Sequence, residues 1–378
     1  MKSPESRRIT PASLLQALGL AVAGLAAALV LAELMLRLVP QALPVALQIA
    51  LSTGTDGGQV ADPVIGNRLP PNTTGAIRTQ DFVQEYRTDS HGFRNEEPWP
   101  EQADIVVIGD SLVFGYGVKL EQAWPQRLAQ LLGRNVVNLG LIGAGPQQFL
   151  RIYQAVAEPL NPRLIVVGMF PRNDFWDANL FDQWLKQGAQ GNYMRWRDGG
   201  RSNPNWRQPR QLLRQWLNSH SYLYGLIRFA GSASRSRAHP VPLEWHGTTL
   251  QLAPGDFAHA TEHDNPADPV FALAIQELVG LREAAAKRGA KVLVVLQPSK
   301  EETYMPLAGG SVADASAPVV AALDKAGIEH LDLGPVFRER AAAGDVLFFP
   351  TDGHPNADGY RLTATVVAQR IAESDARP

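Results

Sequence analysis

The chain has 378 residues, with 35 Lys+Arg against 37 Asp+Glu, 45% hydrophobic and 19% charged residues, and no cysteine. That length allows two or three domains, and the composition supports a sizeable core rather than global disorder. A net charge of −2 argues against a nucleic-acid-coating protein, and the missing cysteines exclude a disulfide scaffold, a thiol nucleophile, Cys-ligated zinc and cysteine-held iron–sulfur clusters.

Residues 9–32 carry no charge, and 18–32 consist only of Leu, Ala, Val and Gly. Such a stretch is long enough to cross a hydrocarbon core of ~30 Å as one helix. Lys2, Arg7 and Arg8 precede it and only Arg37 closely follows, which predicts a cytoplasmic N-terminus and an exported remainder. Glu33 then falls near the headgroups beside Arg37. A buried core helix would be shorter and more amphipathic, and a cleavable signal peptide would have a shorter apolar core with a small-residue cleavage site, to which residues 40–54 conform only loosely. The segment 1–39 is therefore read as a cytoplasmic tip and transmembrane anchor.

Residues 40–100 read as an extracytoplasmic connector, rich in breakers such as Leu69-Pro70-Pro71-Asn72, with two short strands, for example 81–88. From 101 to 375 the pattern changes. Ile105-Val106-Val107-Ile108 is a continuous apolar run, and comparable runs follow at 136–139, 164–167, 292–295 and 328–333. Helical stretches at 121–132, 147–157, 270–288, 317–326 and 356–373 alternate with them. This alternation predicts an α/β domain with a parallel sheet and helices on both faces.

An insertion at about 178–268 interrupts it, holding Trp184, Trp196, Trp206, Trp216 and Trp245. Lys186, Arg195, Arg197, Arg201, Arg207, Arg210, Arg214 and Arg228 face a single acid there, Asp198. The insertion reads either as a lid or platform for an anionic or saccharide surface, or as a helical excursion that packs its tryptophans inward and solvates its arginines. His259 and His263, with Asp264, have the spacing of helical metal ligands but stand in a polar segment, where solvated side chains are the ordinary outcome.

Chemistry concentrates at strand ends. Gly109-Asp110-Ser111 follows the first run and delivers a serine to the carboxyl end of a strand, where open α/β sheets place their ligands. Taken alone, it is also a turn with a helix N-cap. Near the other terminus, Asp352-Gly353-His354 puts an imidazole and a carboxylate on one turn. A serine nucleophile needs a base, and the base needs an acceptor to fix its tautomer. Gly140 ends the second run and lets a backbone N–H approach a ligand, while Asn173 follows the third. With the Ser111 N–H they make a three-donor oxyanion hole, although a tight turn and an Asx cap account for each in isolation. A Gly-x-Ser-x-Gly elbow and a Walker loop are absent from the sequence, and Gly143-Ala144-Gly145 lacks the third glycine of a dinucleotide fingerprint.

Ser111, Gly140, Asn173 and His354, in that order, resemble the four blocks of the SGNH (GDSL-type) hydrolases over residues 101–177 and 268–375. The resemblance implies a flavodoxin-like three-layer α/β/α fold and metal-free, cofactor-free serine acyl chemistry. Two departures stand out. Pro171 occupies the usual Gly of the third block, and Asp352 lies two rather than three residues before His354, so a backbone carbonyl competes with it as the His354 partner. The anchor, Tyr86-Arg87 and Asp89-Ser90-His91-Gly92-Phe93-Arg94-Asn95 look like a bacterial membrane-anchored subgroup. Gln297-Pro298-Ser299-Lys300-Glu301 with Tyr304 is similar to a segment of alginate O-acetyltransferase-like proteins.

The expectation is a single-pass inner-membrane protein with a periplasmic serine esterase domain. Ser111 is its nucleophile, His354 its base and Asp352 the orienting acid. Its expected substrates are acylated small molecules or acyl esters of a glycan, and its expected partners are the membrane and a glycan-assembly protein or membrane acyltransferase, with no nucleic acid. Carbohydrate O-acyl transfer at the same site, or a non-catalytic role in polysaccharide assembly, are the alternatives.

Overall fold

The computed structural model describes residues 11–38, 58–197, 209–210, 213, 216–217, 221–233, 241–253 and 265–376. The chain forms two compact units, Met1–Gly54 with Pro209–Arg235, and Thr55–Gln208 with Ser236–Pro378. In the smaller unit, α1 spans Pro11–Leu38 and contains a 23-residue stretch, Gln16–Leu38, of mean hydropathy 2.2 with none of its apolar window buried. This is an N-terminal helix with the length and composition of a membrane anchor or signal segment.

The larger unit opens with two antiparallel hairpins, β1 (Val60–Asp62) with β2 (Gly66–Arg68) and β3 (Thr74–Arg78) with β4 (Val83–Arg87). Next come β5 (Ile105–Gly109), β6 (Val136–Gly140) and β7 (Leu164–Met169). A third hairpin, β8 (Val241–Trp245) with β9 (Thr248–Leu252), precedes β10 (Lys291–Leu296) and β11 (Glu329–Asp332). Five of these strands form the parallel sheet in the order β11-β10-β7-β5-β6. All five apolar runs of the sequence therefore become its strands.

Strand alternation sorts the core into two layers. Val106, Ile108, Ile165, Val167 and Val294 point to one face, with Phe149, Phe175, Phe271, Leu278 and Leu323 from helices. Val107, Val166, Leu293 and Val295 point to the other, against Trp124, Leu128, Phe337, Tyr360 and Val367. Both faces are dry because every helical connection returns over the sheet, as parallel pairing requires. The helices of this unit include α2 (Ser111–Phe114), α3 (Trp124–Leu132), α4 (Pro146–Ile152), α5 (Pro171–Lys186), α7 (Pro269–Lys287), α8 (Lys300–Tyr304), α9 (Ser316–Ala326), α10 (Gly334–Ala342) and α11 (Ala357–Asp375); α6 (Tyr222–Ala233) belongs to the smaller unit.

Residues 58–100, expected as a connector, pack on the α/β body. Phe93 and Arg94 are buried, and Gln84 Nε2 donates to the carbonyls of Gly115 and Val118 at 2.7 Å. The expected start of the insertion, Ala178, lies inside α5, which runs unbroken to Lys186. Trp184 and Trp196 are buried with Phe181, Tyr193 and Met194 in a small cluster. Trp245 is half-buried, donating to Ala341 O at 3.2 Å. For these three tryptophans the saccharide-platform reading gives way to inward packing, as the area an indole buries favours. Trp206, His259, His263 and Asp264 lie outside the described residues.

Candidate active site

The position of Ser111 follows from a row of glycines. Register aligns Gly109 with Gly140 on one side and with Gly168 on the other. A Cβ on Gly109 or Gly168 would overlap the Val113 side chain, and one on Gly140 would overlap the backbone of Val113 and Phe114. The three together form a flat step on which α2 rests at the carboxyl edge of the sheet. Asp110 caps α2, its Oδ1 accepting from Leu112 N at 2.9 Å, and Gly115 ends it with φ +81. Ser111 is thereby fixed at the first helical position, where its own N–H has no intrahelical acceptor.

Ser111 Oγ lies 2.8 Å from His354 Nε2, and His354 Nδ1 lies 2.6 Å from Asp352 Oδ1. The same Asp352 oxygen accepts the His354 backbone N–H at 2.9 Å. The two-residue spacing closes an Asx turn, so one carboxylate holds both the ring and its backbone. The carboxylate fills the place for which a backbone carbonyl was the competing partner. Burial pushes the Asp352 pKa up, but hydrogen bonds from His354, its charge and that of Lys300 outweigh this and hold it below the ordinary value. Tyr116 stacks on the imidazole with centroids 4.2 Å apart. Burial and the Asp352 charge push the Tyr116 phenol up to about 12, so it stays neutral.

Residues that the sequence did not assign to this site hold the 349–352 loop. Lys300 Nζ donates to the carbonyls of Phe349, Pro350 and Asp352 at 3.3, 3.2 and 3.0 Å. Asp81, from the turn between β3 and β4, accepts from Thr351 N, Thr351 Oγ1 and Asp352 N at 2.9, 2.8 and 2.6 Å. Gln251 N, on β9, donates to Pro350 O at 2.7 Å. Across the site, Arg94 donates to the carbonyls of Phe114, Gly115 and Val118, the turn that follows the nucleophile. Burial lowers the Arg94 pKa to about 10, leaving it charged at neutral pH. The signal for both cations was present: Arg94 and Lys300 stand in the two segments singled out by resemblance.

The three expected oxyanion donors are not equivalent. Gly140 N donates to Asn138 Oδ1 at 2.9 Å, so its N–H is committed within the chain and its lack of a side chain serves α2 packing. Asn173 Nδ2 lies 3.3 Å from Asp110 Oδ2, which holds the amide beside the Ser111 turn with one N–H in reserve. In the loop after β6, Gly143 (φ +76) has no hydrogen-bond partner for its N–H among the described residues. Pro171, in place of the family's usual Gly, starts α5 at a position where a missing N–H has no consequence.

Beneath the site lie three buried carboxyls, Asp110, Asp174 and Asp177. Burial raises the Asp110 pKa, against the Leu112 N–H, the His354 charge and the Asn173 amide. Asp174 is raised well above its ordinary value by burial and then by Asp110 and Asp177. Asp177 is paired with Arg197 at 3.0 Å. Asp89, His91 and Glu97 form a separate cluster, but the Asp89 oxygens already accept from the backbones of His91 and Phe93 and the side chains of Asn95 and Trp99.

A serine on a glycine floor, with an imidazole and a carboxylate in line at the carboxyl edge of a parallel sheet, defines an α/β serine site of acyl-hydrolase type. The GDSL-like Lipase/Acylhydrolase family profile matches residues 107–362, and the chain belongs to that family. Among curated proteins nothing matches significantly. Similar solved structures include a member of the lipolytic G-D-S-L family from Veillonella parvula, at 14% identity, covering 70% of this chain and 96% of that one, with a TM-score of 0.37. A carbohydrate esterase family 2 enzyme with a carbohydrate-binding domain, from Corynascus thermopiles (Myceliophthora fergusii), is 13% identical, covers 77% and 70%, and has a TM-score of 0.38. A two-domain esterase active on acetylated mannans is 11% identical over 73% of this chain and 50% of that one, with a TM-score of 0.39. At these identities and scores the likenesses carry nothing about substrate.

Proposed function

We propose that this chain is a membrane-anchored, extracytoplasmic serine ester hydrolase. The observation that carries the reading is the unbroken line Ser111 Oγ–His354 Nε2 and His354 Nδ1–Asp352 Oδ1, at 2.8 and 2.6 Å. Asp352 keeps the proton on Nδ1, leaving the Nε2 lone pair for Ser111. As Ser111 Oγ attacks an ester carbonyl, its proton passes to Nε2. The carbonyl π pair goes to oxygen, and on collapse the C–O bond breaks while Nε2–H protonates the leaving alcohol. Water repeats the sequence and releases the acid. The Ser111 N–H and Asn173 Nδ2 receive the oxyanion, with the Gly143 N–H as the third donor in place of Gly140; one such donor is worth about 2.7–4 kcal/mol at the transition state.

Glycan acyl esters are the substrate class we favour, on the family's acylhydrolase chemistry and the arginine-rich insertion; the buried Trp184 and Trp196 lend it no support. Purified full-length chain should hydrolyse short-chain and acetylated-glycan esters, and Ser111→Ala should reduce kcat at least about 10³-fold without lowering Tm. Hydrolysis unchanged by that substitution would overturn the mechanism. Acceptor-dependent acyl transfer would make the same site a transferase, and neither reaction would leave the binding role.

A further inference from the structure

The smaller unit joins the anchor helix to the insertion. Glu33 is the single acid within Gln16–Leu38, and a carboxylate at that depth needs partners. It has four. Arg37 Nε lies 2.8 Å away, Ser221 Oγ donates at 2.9 Å, and the backbone N–H groups of Tyr222 and Leu223 donate at 3.0 and 2.9 Å. An acid of α1 thus caps the first turn of α6, and the Arg37 guanidinium lies 5.6 Å from the Tyr222 ring centroid. Coverage of α1 is confined to this end: Ala32, Glu33 and Leu36 are partly covered, whereas residues 16–31 are exposed throughout.

Among the described residues no second span accompanies it. With 12 residues, α6 is about 18 Å long and cannot cross a ~30 Å hydrocarbon core. It meets α1 at the Glu33 end, and residues 16–31 of α1 stay exposed. Large apolar side chains on and before α6 keep more than half of their surface exposed: Leu213 is 56% exposed, Trp216 55% and Ile227 61%. Between 199 and 243 the sequence has seven arginines and no acid. Apolar exposure continuous with a lipid-facing helix, in a purely basic stretch, matches the chemistry of an anionic bilayer surface.

We propose that α6 lies on the bilayer surface at the end of α1 marked by Glu33, with its Ile227 and the preceding Leu213 and Trp216 inserted among the lipid headgroups. The proposal rests on reading α1 as a membrane span. It turns part of the insertion from a lid over substrate into a second membrane contact.

Because the chain has no cysteine, single probes can be placed without background. Full-length Trp216→Cys and Ile227→Cys, labelled with an environment-sensitive fluorophore, are reconstituted in phosphatidylcholine–phosphatidylglycerol vesicles carrying nitroxide lipids. Ala26→Cys marks the span, and Glu283→Cys, on an exposed helix position of the larger unit, marks water. Quenching at 216 and 227 at least about threefold that at 283, and strongest with nitroxides near the headgroups, is expected. Quenching at 26 with 216 and 227 equal to 283 overturns the surface contact while leaving the anchor intact. A blue shift at 216 or 227 without nitroxide quenching shows burial against a second copy and also overturns it. An unquenched probe at 26 defeats the anchor reading itself.

Discussion

Lys300 and Arg94 show how single buried side chains hold this site. Each sets a cation against three backbone carbonyls, one on the loop that ends at Asp352 and the other on the turn after Ser111. Carbonyls drawn together at a buried turn repel one another, and a cation satisfies them at once; leaving one buried acceptor unpaired costs about 1–3 kcal/mol. Lys300 is tied further into the fold, because Glu302 in the same turn pairs with Arg172 at 2.9 Å, beside Asn173. Lys300 is therefore a positioning residue. Lys300→Met keeps the stem and removes the donors, and kcat on a short-chain ester should fall about 10- to 100-fold with KM little changed. Lys300→Arg should recover part of that loss. A lower Tm with unchanged kcat would reduce the residue to a purely structural one.

At the scale of elements, the site depends on how closely α2 approaches the sheet. Gly140→Ala places a methyl against the backbone of Val113 and Phe114, which cannot yield as a flexible side chain would. Overpacking of this kind costs about 1–3 kcal/mol and here displaces the helix that carries Ser111. Both Tm and kcat should therefore drop together; an unchanged kcat would show that α2 moves without moving the nucleophile. Sequence reading found Gly140 but gave it the wrong task, because side-chain periodicity reports faces and not where a backbone N–H is committed. The five central strands were legible, since doubly buried strands are continuous apolar runs. The β8–β9 hairpin was not. Its burial is one-sided, with Leu250 and Leu252 inward, and its turn uses His246 and Gly247 at φ 45 and 83, where glycine is common and histidine is not. Yet this hairpin, from within the expected insertion, reaches the catalytic loop through Gln251.

Across the whole molecule, the Ser–His–Asp line and the N-terminal apolar helix belong to different units. Ser111, His354, Asp352 and Asn173 all belong to the unit formed by Thr55–Gln208 and Ser236–Pro378, whereas α1 and α6 belong to the other. The Ser, His and Asp were legible because each stood at the end of a recognisable element. The contact between α1 and α6 was not, because nothing in local periodicity links residue 33 to residue 222. The described partners of Glu33 are Arg37, Ser221, Tyr222 and Leu223, none of them in the catalytic unit. Sites without shared partners combine additively, so loosening the anchor unit should not propagate into the chemistry. Glu33→Leu keeps α1 apolar throughout its length and removes the acceptor for four donors. Amide exchange at 222–226 should then speed up at least about tenfold, as the first turn of α6 loses its cap. With the chain in detergent, kcat/KM for a water-soluble ester should stay within about twofold of wild type. A parallel fall in kcat/KM would mean that the anchor unit acts on the catalytic loop, and the separation of the two units in function would have to be abandoned.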